Sequence, residues 1–171
     1  PNAAKFFLKT THERYAGEMG DLFGTVIKGF FTDEAGLLGR IPWSRRLPVV
    51  YRKRFSEPLE GSLCRMLDSE APEATILRER VYRTIHQMLR DNYHKPIARW
   101  CHKHRLQFVA EVPGMRMTTP LYSDVIGGDF NHEKLGLPLD MIHDLHTTNY
   151  RHNPTAIASL ARQLGRRRAL V

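Results

Sequence analysis

The stretch TVIKGFFTDEAG, Thr25 to Gly36, decides how the chain is read. Thr25 to Thr32 is rich in β-branched and aromatic residues and is apolar at both parities, the pattern of a strand covered on both faces. Two adjacent carboxylates, Asp33 and Glu34, follow where the apolar run stops, and Ala35 and Gly36 give a small, flexible exit. Polar residues just past the C-terminal ends of parallel strands are where α/β enzymes keep their chemistry. The plainer reading is a turn with a cap, since Asp is a favoured N-cap and carboxylates suit helix N-termini. Adjacent residues on a strand point to opposite sides, so at most one of the pair faces a shared pocket.

Upstream, TTHERYAGEMGDLFG reads as a helix. Thr10 and Glu13 suggest a capping box, Tyr15, Met19, Leu22 and Phe23 share a face, and Gly24 ends it. Downstream, a polar loop leads to two short helices, SRRLPVVYRKRF and PLEGSLCRMLDS. A long amphipathic stretch then runs from Ala74 to His104, with Leu77, Val81, Ile85, Met88, Leu89, Ile97, Trp100 and Cys101 on one stripe. Pro96 has no N–H and crowds the preceding turn, so a kink or break is expected near Asn92. LQFVAEV (Leu106 to Val112) is the next strand. A loop rich in Gly, Pro and Thr leads to GLPLDMIHDL, read as a short strand or extended segment. NPTAIASLARQLG is a helix with Asn153 as cap, Pro154 in the first turn and Gly165 at the C-terminus; RRRALV starts another strand. This alternation predicts an α/β fold with a parallel sheet, as one domain over residues 1–171. A chain that begins with a helix and ends in a strand fits a doubly wound domain or a piece of a (β/α)8 barrel, which needs about 250 residues when whole.

With 171 residues, 42% hydrophobic and 26% charged, the chain can bury a core, which argues against disorder. No apolar run approaches the ~20 residues that span a bilayer, so no membrane insertion is expected. Lys5 and the short FFL stretch do not make a secretory leader. Cys64 and Cys101 lack C-x-x-C spacing, lie in helical segments and are expected to be buried free thiols. The formal net charge is +8, and the excess gathers at Arg45–Arg54, Arg99–Arg105 and Arg166–Arg168. Such patches can bind nucleic acid or an anionic polymer. Solvated helix faces are the preferred reading, since no recognition-helix, RNP or zinc-finger pattern accompanies them.

Glu111, ending QFVAE, is the next strand-end carboxylate after Asp33 and Glu34. A two-carboxylate hydrolase needs such groups across the bond to be broken, one as acid and one as base or nucleophile. Asp129, His132, Glu133, Asp140, His143, Asp144 and His146 crowd a short region. They have no H-E-x-x-H spacing, and a polar rim around a pocket mouth is preferred to a metal centre. DVIGGDF lacks both the G-x-G-x-x-G fingerprint and the P-loop lysine, and no G-x-S-x-G occurs. Trp43, in the loop GRIPWS, can stack on a sugar or base ring or pin the loop; Trp100 is read as packing.

The order THERYAGEMGDLFGTVIKGFFTDEAG, IPWS, NYHKPIARWCHKHRLQF, GGD and NPTAIASLARQLGRRRAL resembles the catalytic barrel of large α-L-rhamnosidase-type glycoside hydrolases and their uncharacterised relatives. The resemblance covers most of the chain; its specific parts are the THERY…GFFTDE and QLGRRRAL blocks. It implies a partial TIM-type (β/α)8 barrel hydrolysing a glycosidic bond with inversion, and it brings in calcium as the one cofactor to look for. It makes Glu34 the general acid, with Asp33 shaping the pocket or holding Glu34. Its partner carboxylate would follow Val171, so this length alone is expected to be inactive. Trp43, Glu111 and Asp129 are the expected substrate-binding residues, although Glu111 has no counterpart in the family pattern. Phe30, Phe31 and Trp43 are expected to ring and desolvate the acid, keeping it protonated. The implied partners are a carbohydrate and other domains of a parent chain; such enzymes in bacteria are often exported. The alternatives are a basic α/β module for an anionic polymer and a non-catalytic barrel scaffold.

Overall fold

The computed structural model describes residues 2–33, 42–68, 70–111, 120–128, 138, 140–141 and 154–170. It divides into two compact units: one comprises Pro1–Gly36 and Asn92–Val171, the other Leu37–Asp91. The second unit lies in sequence between the first strand and the helix that leads to the second.

The first unit is built on a parallel sheet of four strands in the order β1-β2-β3-β4. These are β1 (Gly29–Thr32), β2 (Gln107–Glu111), β3 (Val125–Gly127) and β4 (Ala169–Leu170). Phe30 pairs with Phe108, Ala110 with Ile126, and Ile126 with Ala169. Paired residues share a face, so Phe30, Phe108, Ala110 and Ile126 point one way. That face receives the helices. Ile97, Ala98, Trp100 and Cys101 of α6 (Lys95–Lys103) pack on Phe108 and Ala110. Ile157 and Ala161 of α7 (Pro154–Gln163) pack on Ile126. Phe31, Val109 and Val125 lie on the other face, where Phe31 is 50% exposed. The expectation that the first strand is covered on both sides is met by described helices of this unit on one face only; on the other, Phe31 is exposed while Val109 and Val125 are half-buried. The strand is also shorter than expected, because Leu22–Ile27 forms a tight turn in which Gly24 adopts φ +78°.

The N-terminal helical run starts earlier than the capping box suggested. It comprises α1 (Asn2–Phe7), a π-helical turn over Leu8–His12, α2 (Glu13–Met19) and a 3-10 turn over Gly20–Leu22. Thr10 lies inside the wide turn, where its hydroxyl donates to the Phe6 carbonyl at 2.9 Å. Such back-bonding competes with the helical ladder and favours a bend. The packed side is Ala4, Leu8, His12 and Ala16, while Tyr15, Met19 and Leu22 are over a third exposed. The anchor is Trp100, whose indole N–H donates to Glu13 Oε1 at 2.6 Å. This bond turns the His12 side toward the sheet, and Trp100 is packing, as read.

The long amphipathic stretch forms α5 (Ala74–Leu89), a π-helical turn over Arg90–His94, and α6. The irregularity falls where Pro96 removes a donor and crowds the preceding turn. In the second unit, α3 (Leu47–Phe55), α4 (Glu60–Leu67) and α5 enclose Leu47, Tyr51, Leu59, Met66, Leu77, Val81 and Ile85. The two cysteines differ. Cys101 is buried, and burial reinforced by Asp124 pushes its thiol up to about 12; Cys64 is exposed, against expectation. The reading of the sequence did not identify β3, whose three residues, the last of them the first of a Gly pair, carry too little pattern. In GLPLDMIHDL, read as extended, Asp140 and Met141 are helical and Pro138 is the other described residue. The Asn153 cap lies outside the described residues. No helix among the described residues is long and apolar enough to cross a membrane.

Gly29 fixes the register between β1 and β2. A Cβ there would lie 2.5 Å from the Gln107 carbonyl oxygen, on backbone that cannot yield locally. Gly61, in α4, has open space around it. Gly29→Ala is therefore expected to lower stability by about 1–3 kcal/mol, and Gly61→Ala to raise it by about 0.5–1 kcal/mol. Urea titrations of both variants check this, and equal effects would contradict the register.

Candidate functional site

The register sets what the carboxyl edge of the sheet carries. Thr32 pairs with Ala110, and Glu111 pairs with Gly127. Asp33 follows directly on Thr32, as Glu111 follows on Ala110. The two carboxylates therefore leave neighbouring strands, ~4.8 Å apart, at one level. Asp33 is exposed and Glu111 is half-buried. Alternation along β2 puts Glu111 on the face away from Phe108 and Ala110, where no described helix of this unit packs. Gly127 lets β3 close against this point: a Cβ there would sit 3.2 Å from the Ala110 carbonyl oxygen and 3.3 Å from the Glu111 Cα.

Of the residues read from sequence, the structure thus brings Asp33 and Glu111 together. Glu34 and Asp129 lie outside the described residues, as do His132, Glu133, His143, Asp144 and His146. Asp140 is described and exposed. Trp43 belongs to the second unit and is 55% exposed. The expected apolar ring around the acid needs correction at Phe30. That ring points to the helix side and stacks on His12 with centroids 4.5 Å apart, whereas Phe31 points to the opposite face. Alternation forbids both from flanking one side chain.

Behind β1, His12 is held in an aromatic cage. It meets Phe30 by stacking, and Phe7 and Trp100 edge-on at 5.3 and 5.0 Å. Tyr93 closes the same region with a 3.0 Å hydrogen bond between its hydroxyl and that of Thr32. A cavity of about 20 Å³ lies among these groups, room for a single water. Burial lowers the His12 pKa from its ordinary 6.5, with Glu13 opposing more weakly. Reading the sequence missed His12 as a buried titratable group. Its only signal was its place four residues from Leu8 and from Ala16.

The opposite, amino edge has a different character. Residues entering the strands line a cavity of about 580 Å³: Lys28 before β1, Arg105 and Gln107 at β2, Asp124 before β3, and Arg166, Arg167 and Arg168 before β4. Asp124 is already engaged, since one carboxylate oxygen accepts from the Phe108 N–H and pairs with His102 Nε2, both at 2.8 Å. Two of the three basic clusters thus meet here, joined by Lys28.

Among the described residues no group of three or more His, Cys, Asp or Glu side chains is placed to hold a metal ion. Comparison of the chain with protein-family models, curated proteins and solved structures finds no match.

The cage gives a pH test. His12 is folded in its neutral form with a lowered pKa, whereas the unfolded chain takes up the proton as pH falls through about 6.5. Stability should therefore fall as pH drops below that value and level off below the folded pKa. In His12→Phe this component disappears, and denaturation midpoints between pH 7.5 and pH 5 should change less than in wild type. Parallel profiles would show that His12 does not titrate on unfolding.

Proposed function

We propose that this chain carries part of the active site of a glycoside hydrolase of the α-L-rhamnosidase type, built on the wall of a (β/α)8 barrel. The observation that carries this reading is the placing of Asp33 and Glu111 at one level at the carboxyl edge of neighbouring parallel strands, on the face where no described helix of this unit packs. Sequential strand order with helices on one face is what a barrel wall has; in a doubly wound sheet they cover both faces. The opposite face would then be the barrel interior, and its carboxyl end the usual place for chemistry in such barrels.

In this reading Glu34 is the general acid that protonates the leaving oxygen, and a second carboxylate acts as base or nucleophile. Asp33 and Glu111 shape the floor of the sugar site, bonding hydroxyls and holding the acid in place. Phe31 offers an apolar surface beside them. Asp129 is proposed as a further substrate contact.

The test is hydrolysis of an unactivated α-L-rhamnoside and of its aryl counterpart by the protein bearing this sequence. Glu34→Gln should lower turnover of the unactivated substrate by about 10²–10⁴-fold. The aryl substrate, whose leaving group needs little proton assistance, should lose much less. Asp33→Asn should weaken both substrates together. Near-normal turnover in Glu34→Gln, or equal loss on both substrates, would remove Glu34 as the acid.

A further inference from the structure

The amino edge of the sheet holds a second site that the glycosidase reading leaves unused. Lys28, Arg105, Arg166, Arg167 and Arg168 line one cavity of about 580 Å³, within the size range of small-molecule pockets. Among the described residues no ion pair engages any of the five. Lys28 Nζ donates to the Gly24 carbonyl at 2.9 Å, and Arg166 donates to the Leu121 carbonyl at 3.2 Å. Neither bond neutralises a charge. Arg166 Nε is buried and has no hydrogen-bond partner among the described residues.

Cations at the ends of helices have a plain role, and α6 and α7 both end at this edge. Each helix end is worth about half a negative charge. With Asp124 counted in full, these leave an excess of about three positive charges. That surplus exceeds what the fold requires, and it would cost stability by self-repulsion without an anion. The charges also surround a concavity rather than run along a stripe, which favours a compact ligand over a polymer. Arginine forks suit phosphate oxygens bidentately.

We propose that this pocket binds a small molecule bearing two or more phosphate groups, with Arg105 and Arg168 as principal contacts from the entries of β2 and β4, on either side of β3. The site is independent of the carboxyl edge, so it stands or falls apart from the glycosidase reading.

The test is calorimetric titration of the chain with inorganic pyrophosphate in about 50 and 200 mM salt. Binding should be saturable, one-to-one, and at least tenfold weaker at the higher salt. Arg105→Gln and Arg168→Gln should each weaken it about tenfold or more, and Arg105→Lys should recover part of the loss. A double change in the other basic cluster, Arg45→Gln with Arg52→Gln, should leave the affinity within about twofold. Circular dichroism establishes that each variant is folded. Absence of saturable pyrophosphate binding, or equal affinity in the pocket variants, would overturn the proposal. So would binding of a short single-stranded oligonucleotide, without pyrophosphate binding, that the Arg45/Arg52 change weakens as much as the pocket changes do.

Discussion

The hydrogen bond from the Trp100 indole to Glu13, 2.6 Å long, sits where the rest of the sheet unit is decided. It joins the helix that precedes β1 to the helix that precedes β2, 87 residues apart in sequence. Around it Phe23, Phe30, His12 and His104 close on Trp100, with ring centroids between 4.1 and 6.1 Å. A cluster of this kind contributes through buried area, at about 1.5–3 kcal/mol for each fully buried large side chain. The hydrogen bond adds less energy and more direction, since it fixes which side of α2 faces the sheet. Once α2 and α6 are placed, β1 and β2 arrive side by side and parallel, and Gly29 sets their register against the Gln107 carbonyl.

That register makes the two edges of the sheet chemically unlike. The carboxyl edge carries Asp33 and Glu111 at one level, and the amino edge carries Lys28, Arg105 and the Arg166–Arg168 run. Parallel strands make this separation possible, because every strand begins at one edge and ends at the other. Carboxylates and cations more than a strand's length apart interact weakly in salt. Each edge can therefore be tuned for its own ligand.

Much of this was legible in the residues. The apolar runs around Phe30 and Phe108 announced strands, and the Ala74–His104 stripe announced a helix with a fault ahead of Pro96. What escaped reading had physical causes. Val125–Gly127 is too short for a pattern, and becomes a strand only because β2 and β4 flank it. Thr10 looked like a cap because its spacing to Glu13 fits one, yet Glu13 is claimed by a tryptophan far along the chain. Phe30 and Phe31 looked equivalent until alternation sent one to the helices and the other to the opposite face. Lys28 carried no signal of its own, and its meeting with Arg105 and Arg168 depends on pairings that run across most of the chain. The carboxylates of the candidate site were legible as strand ends; their shared level required the register.

The claim on which both edges rest is that register, and a cross-link reads it directly. In a background of Cys64→Ser and Cys101→Ala, Asp33→Cys is combined with Glu111→Cys or, as a control, with Gln107→Cys. Neighbouring positions at one level of adjacent strands fall within the ~4.4–6.8 Å Cα range of a disulfide, and the other edge lies well beyond it. Under mild oxidation, peptide mapping should find the 33–111 disulfide in the first variant and no 33–107 disulfide in the second. Absence of the 33–111 link, or equal formation of both, would contradict the account.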